Sequence, residues 1–554
     1  MVLFFLLFSY AYFSPATQWN ENSRFNLTRS LVERGSLNID PYHQNTGDKS
    51  YREGHYYTDK APGVSFLGVP GYALIFALRK VTKQELPQQM VVPECEKSRY
   101  ADFFPSAGPG SRSARTDGSS GVSKGGDKKN AFPRMKFNSA YRRGLYMANL
   151  FGNGLIAAVA GMCLFLLLFS YRPNDPVAAL FGTAAYSLGT IIWPYSTLYY
   201  GHGVAASLLI IVFYLNERWT KAQRQLNPPT SNGIVSTKSS LSSKVFAHSK
   251  SKETPCKNSV LLDLGLGFML ALITATDYPS AVAAALLGLY IVWTRPHKSL
   301  KIRTFFTLAA GALPIGAALG LYHHICFGSP FSLGYEHLAT QHFAEGMSEG
   351  LYGVTSPRLK VILQILVGPH RGLLYISPVL ILAIPGAGAL KRSGQTPMLL
   401  LALIIFTYFL ILNASYYMWD GGAAFGPRHA LPGLALMAFV TAAAYPSGNG
   451  KKALFVKFGC WFLVALSAFN MLTATAVGPE TPLNIGDPLQ EYLWPNFFSG
   501  QLALTMGSTN FGLMMGLKGL TSVLPLFVFW ALAGCTIFSL LYEEKVDASL
   551  EKAG

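Results

Sequence analysis

The side chains best suited to chemistry gather in one polar stretch, Trp19 to Gly63, set between an apolar start at Met1–Phe13 and an apolar run from Val64 to Leu78. It contains Glu21, Asp40, Asp48 and Asp59, then Lys60, with His55 and Tyr56 just ahead of them. A carboxylate can take a proton from an attacking hydroxyl, and an ammonium can meet the charge on a departing phosphate. Glu21, Asp48 and Asp59 are therefore the acid–base candidates and Lys60 the phosphate candidate, while Asn20, His55 and Tyr56 are placed to touch a substrate. Pro62 and Gly63 keep Lys60 out of a regular helix interior, so its ammonium is expected at the mouth of the apolar run that follows. The plainer reading is that Asp59 and Lys60 form a local ion pair, and that Tyr56 and Tyr57 belong to an interfacial aromatic belt.

Later polar connections share a texture of aromatics, glycines and single charges: His202 in WPYSTLYYGHG, Asp277 in TATDYPS, Tyr335 and Glu336 in FGSPFSLGYEH, Arg371 in VGPHRGLLY, and Trp419, Asp420 and Arg428 in YYMWDGGAAFGPRH. Each alone reads as a snorkelling anchor or a satisfied helix end. Convergence on one face would instead make a polar, aromatic-lined cavity able to hold a sugar by stacking and hydrogen bonds. His202, Tyr335, Glu336, Trp419 and Asp420 are its substrate-contact candidates, and Arg371 and Arg428 could help Lys60 with a phosphate.

The elements that must position these groups are hydrophobic. Half of the 554 residues are apolar and 13% are charged; mean hydropathy is +0.29, as in a polytopic membrane protein. Apolar runs recur at 1–13, 64–80, 145–169, 176–193, 203–215, 259–275, 279–293, 304–325, 372–390, 396–413, 430–446, 453–473 and 519–542. Thirteen crossings would contradict the loop charges, so about twelve spans are expected, with either 64–80 or the Pro- and Gly-interrupted 176–193 not crossing. Met1–Phe13 lacks a basic leader and a cleavage site and reads as a retained first helix.

The formal charge of +17 lies largely in connections, with no nucleic-acid motif beside it, so it reads as topology signal and no nucleic-acid partner is expected. Basic segments 81–143 and 217–258 are assigned to the cytoplasm; within the first, the Gly/Ser/Lys-rich 106–130 has too little apolar content to pack. The chain then divides into 1–80 with the chemical loop, 81–143, helices over 144–216, 217–258, and helices over 259–554 with outer loops 326–371, 414–429 and 474–518. Six scattered cysteines show neither a disulfide framework nor a zinc spacing. No metal ligand set and no cofactor are read here, although a divalent ion would be compatible with the carboxylates.

These residues resemble those of the polytopic GT-C glycosyltransferases, in particular bacterial relatives of dolichyl-phosphate-mannose protein mannosyltransferases and lipid A aminoarabinose transferases. NENSRFNLTRSLVERGSLNID has the spacing of that family's first outer loop, with Asn20-Glu21 where its Asp-Glu pair stands and Arg29 and Gly35 on the following helix. Lys60-Ala61-Pro62 is similar to its Lys-Pro-Pro motif. The chain departs from the pattern in having Asn20 for the family's Asp, the proposed base, so the resemblance does not assign that role. The match is motif-specific over roughly the first 80 residues, with WDGGAAFGPRHALP as a further, looser likeness. It implies an all-α helical bundle in the plasma (inner) membrane, a polyprenyl-phosphate sugar donor, and a lipid, glycan or protein acceptor on the outer face. A transporter or flippase of a lipid-linked substrate is the alternative, distinguished by a charged path through the middle of the bundle.

Overall fold

A computed structural model describes residues 1–92, 134–226 and 257–550. The 106–130 stretch and most of the 217–258 segment lie outside the described residues. The chain is mostly helical, as expected. Its sheets among the described residues are three short antiparallel pairs: Phe13–Ser14 with Thr509–Asn510, Ser50–Arg52 with His55–Tyr57, and Gln89–Val92 with Arg134–Phe137.

By length and composition, five helices among the described residues can cross a membrane: Ser139–Tyr171, Lys298–Phe327, Thr396–Ser415, Lys451–Val477 and Gly519–Ile537. Val2–Ala11, Val260–Thr276 and Tyr278–Thr294 are shorter apolar helices. Phe306, Leu313, Phe455, Phe458 and Leu532 stand exposed on these elements, an outer surface suited to acyl chains rather than water.

Several apolar runs expected as single crossings are divided. The run 64–80 breaks at Gly68 into Gly63–Leu67 and Val69–Val81; 176–193 becomes Pro176–Ser187 and Ile192–Ser196; 372–390 becomes Leu373–Ile376, a 3-10 turn and Ala383–Arg392; 430–446 is a 3-10 turn followed by Leu434–Ala442. Proline and glycine recur at these breaks (Gly68, Gly189, Pro378, Pro432, Gly433), where a missing N–H or a flexible backbone interrupts the hydrogen-bond ladder. Each piece is shorter than the roughly 20 residues a crossing needs. In the other direction, helix Gly201–Leu226 runs ten residues into the segment read as a loop from 217. Good helix formers such as Glu217, Lys221 and Gln223 allow it, and Trp219 is held under the Arg295 guanidinium at 4.0 Å.

The long helices share a polarity. Lys257–Thr276, Lys298–Phe327, Thr396–Ser415 and Lys451–Val477 all end, and Gly201–Leu226 begins, beside the polar region, while the basic residues Lys298, Lys391, Arg392, Lys451 and Lys452 mark the other ends. Helices Lys257–Thr276 and Lys298–Phe327 touch backbone to backbone: a Cβ on Gly267 would strike the Leu308 carbonyl, and one on Gly311 the Leu264 carbonyl. Small residues allow this close approach.

The central element is helix Trp19–Arg34. It is polar, yet every residue from Asn20 to Ser30 is buried, which is stable only if the polar groups find partners. Most do: Asn22 Nδ2 donates to the Thr17 and Asn45 carbonyls at 3.1 and 3.0 Å, Asn26 Nδ2 to Asn45 Oδ1 at 2.7 Å, and Thr28 Oγ1 to the Ser65 carbonyl at 2.9 Å. Gly35, at φ 63°, closes the helix in the left-handed conformation that glycine adopts without strain. The first loop is thus a plug set among the helix ends rather than a strap over them.

Candidate functional site

Four parts of the chain meet at the polar helix ends. Helix Trp19–Arg34 brings Asn20, Glu21 and Arg24; the loop after it brings Asp48, Asp59 and Lys60; the start of helix Gly201–Leu226 brings Tyr200 and His202; and the ends of later helices bring Asp277, Tyr335, Tyr416, Arg428, His429 and Glu480.

Lys60 sits between two carboxylates, its Nζ 3.2 Å from Asp48 Oδ2 and 2.9 Å from Asp59 Oδ2, with 16% of its side chain exposed. Burial works to depress this ammonium, but Asp48 and then Asp59 outweigh it and hold its pKa above the ordinary lysine value. Burial in turn raises the Asp59 carboxyl, in spite of Lys60. Ser23 Oγ, 3.4 Å from Asp59 Oδ1 and 2.7 Å from Thr58 Oγ1, fixes this loop to the helix.

Glu21 has no accessible surface, and neither carboxyl oxygen has a hydrogen-bond partner. Its pKa is pushed up to about 8, first by burial; Arg24 and Arg428 pull the other way, and Asp48 adds to the rise. Glu480 is driven further, well above the carboxylate range, by burial and by Glu21. Between them Tyr200 accepts from Arg428 Nη1 at 3.1 Å and donates to Glu480 Oε1 at 3.2 Å. The Arg24 and Arg428 guanidinium carbons lie 5.7 and 5.4 Å from its ring centroid. The cluster therefore pairs neutral carboxyl groups with permanent cations, an arrangement that accepts an anion without further ionisation.

On the far side, His202 Nδ1 lies 3.1 Å from Asp277 Oδ1. The contact is off the hydrogen-bond line, leaving Nδ1 shielded but poorly aligned. The His202 and His429 rings meet edge to face at 5.2 Å, and His429 packs against Tyr416 at 5.0 Å. Burial, with Arg428, His202 and Lys60 nearby, holds His429 well below the usual imidazole pKa and therefore neutral. Among the described residues no three His, Cys, Asp or Glu side chains converge as metal ligands do.

The structure brings together Asn20, Glu21, Asp48, Asp59, Lys60, His202, Tyr335 and Arg428. It leaves the other expected residues elsewhere. His55 is 52% exposed and contacts Asp40 at 2.7 Å, because the Ser50–Arg52/His55–Tyr57 hairpin turns it outward. Tyr56 stacks on His43 at 3.8 Å. Glu336 is exposed and accepts from Ser332 and Tyr352. Arg371, expected beside a phosphate, donates instead to the Asp420 and Gly422 carbonyls at 2.8 and 2.7 Å, so it clamps the glycine loop after Asp420. Trp419 likewise serves through its backbone, its carbonyl accepting from Asn413 Nδ2 at 2.7 Å.

Sequence reasoning missed Arg24 and Glu480. Arg24 carried a usable signal, since it follows Glu21 by three residues on one helix face. Glu480 is a lone carboxylate just past the apolar end of Lys451–Val477, a position also open to a solvated cap. No protein-family model and no curated protein matches the chain. What fold and site define is a class: an all-α protein with helices fit to cross a membrane and a charged site at one set of helix ends.

Glu21 makes a prediction about stability. An unfolded glutamate titrates near about 4.3 and the folded one near 8, so between these values the folded protein keeps a proton that the unfolded chain has released. Stability should fall as pH rises through that window. Glu21→Gln should flatten the fall in unfolding midpoint between pH 5 and pH 8, leaving the part due to Glu480. An unchanged slope would show that Glu21 is ionised in place.

Proposed function

We propose that this chain is an integral membrane glycosyltransferase in the plasma (inner) membrane, moving a sugar from a polyprenyl-phosphate donor to a lipid, glycan or protein acceptor on the extracytoplasmic face. The observation that carries the reading is the partly accessible Lys60 ammonium, flanked by Asp48 and Asp59 and gathered with Arg24, Arg428 and Glu21 at the helix ends opposite the basic connections. A lipid phosphate entering there meets Lys60 and Arg428, whose charges oppose the negative charge that grows as the sugar leaves. Glu21, neutral below about pH 8, adds no negative charge to oppose that phosphate and is not suited to accept a proton. Tyr335 and Tyr416 supply ring edges and hydroxyls for the sugar.

The transporter alternative asks for charged groups along the helices toward mid-bundle. A second buried ion pair does exist, Arg295 Nη2 to Asp263 Oδ1 at 2.7 Å, but it lies near the opposite helix ends and is closed by Asn216 and Thr304. The test is direct: purified full-length protein is incubated with tritiated polyprenyl-phosphate hexoses and membrane extract. Label should move to an acceptor from one such donor, and a cysteine at exposed Glu53 should react with an impermeant reagent on intact cells. Transfer from nucleotide sugars alone, or labelling of position 53 only after lysis, would overturn the proposal.

A further inference from the structure

None of the first-loop groups gathered at the site is a ready base. Asn20 is an amide whose Oδ1 accepts from Arg24, Asp48 and Asp59 are both in contact with Lys60, and Glu21 carries its proton at neutral pH. The opposite wall offers a different arrangement. Asp277, itself buried, has one oxygen at His202 Nδ1 and the other held by the Ser280 hydroxyl, so the carboxylate is fixed against the ring. Nδ1 is shielded from water, and therefore the 13% of the His202 side chain that stays accessible lies elsewhere on the ring. An Nδ1–H facing a carboxylate leaves Nε2 as the acceptor nitrogen. Catalytic contacts of this kind are commonly loose before substrate binds and tighten afterwards.

Resting on the transferase reading above, we propose that His202 is the general base for the acceptor and that Asp277 is its positioning residue. The acceptor hydroxyl oxygen attacks the anomeric carbon of the donor sugar and its proton passes to His202 Nε2. The bond from that carbon to the phosphate oxygen breaks, and the electron pair leaves on the polyprenyl phosphate beside Lys60 and Arg428. The proton on His202 is then released to water, so one glycosidic bond forms, one sugar–phosphate bond breaks and one proton is produced. The imidazolium formed in this step is stabilised by Asp277. His429, neutral and edge-on at 5.2 Å, adds no opposing charge. The remaining charged or titratable groups facing His202 are Tyr200 from its own segment, Arg428 beside His429, and Arg24 from the first-loop helix, which approaches Gly201.

The test is the pH dependence of transfer by the full-length protein in vesicles, with whichever tritiated polyprenyl-phosphate hexose gives product. The wild-type pH profile should show an acidic limb, because protonation of the base removes its ability to accept the acceptor's proton. His202→Gln should lower kcat by about a hundred-fold, abolish that acidic limb and leave the KM for donor within about twofold of wild type. Asp277→Asn should move the limb to lower pH, since the imidazolium loses its partner. His202→Gly activity should be restored in part by added imidazole, which separates a lost base from a damaged fold. An acidic limb that survives in His202→Gln, or His202→Gly that binds donor but is not rescued, overturns the base assignment alone. Absence of transfer by the wild type overturns the transferase reading and this inference with it.

Discussion

Lys60→Ala is expected to lower turnover by about ten- to a hundred-fold at subsaturating donor. A charge-assisted contact to a phosphate contributes roughly 1.5–3 kcal/mol, and each 1.36 kcal/mol is about a factor of ten in rate. The structure adds a complication that the test must handle, because Lys60 also neutralises Asp48 and Asp59 at 3.2 and 2.9 Å. Without the ammonium, two close carboxylates repel, one is driven to protonate, and part of any loss would be structural. Asp59→Asn combined with Lys60→Ala removes that repulsion. The double variant should regain unfolding temperature but not turnover, whereas Lys60→Arg should recover part of the rate by keeping charge without the compact ammonium. Full turnover in the double variant would reduce Lys60 to a loop-fixing ion pair.

The largest effect on stability is expected at the other end of the bundle. Arg295 and Asp263 are essentially inaccessible and 2.7 Å apart, with Arg295 Nη1 donating to Asn216 Oδ1 at 2.9 Å and Thr304 Oγ1 to Asp263 Oδ2 at 2.8 Å. Four segments are joined at this point. Asp263→Ala leaves a buried guanidinium without its counter-charge and should cost about 3–5 kcal/mol, read as a lowered unfolding midpoint in detergent. Replacing both partners by apolar residues, Asp263→Leu with Arg295→Met, should cost less than Asp263→Ala alone, since no charge is then stranded. A double variant less stable than the single would show that the hydrogen bonds to Asn216 and Thr304, rather than the ion pair, hold the four segments.

How much could be seen in advance differs between scaffold and site. Helical class followed from apolar runs alone, because hydrophobic length is written locally. The number of unbroken helices did not, since Gly68, Gly189 and Pro432 lie inside runs that average as apolar while the backbone ladder is interrupted. Lys60 is legible through Pro62 and Gly63, and its pairing with adjacent Asp59 is the plainer alternative that the sequence offers. Its second partner Asp48, twelve positions earlier, reads from sequence only as an acid–base candidate, because a sequence does not show which way a loop folds back. Arg371 and Arg428 looked alike on paper; one clamps backbone carbonyls and the other enters the charged cluster.

By itself the sequence determined the apolar helical character of the chain, the basic marking of alternate connections and a first loop dense in ionisable groups, all properties of neighbouring residues. Only the tertiary structure decided which of those groups share a site. Tyr200 reaches Glu480 across 280 positions, and Glu21 is silenced by burial beneath segments distant in the chain. Charge and desolvation act through space, so the protonation state of a side chain depends on what the fold packs around it.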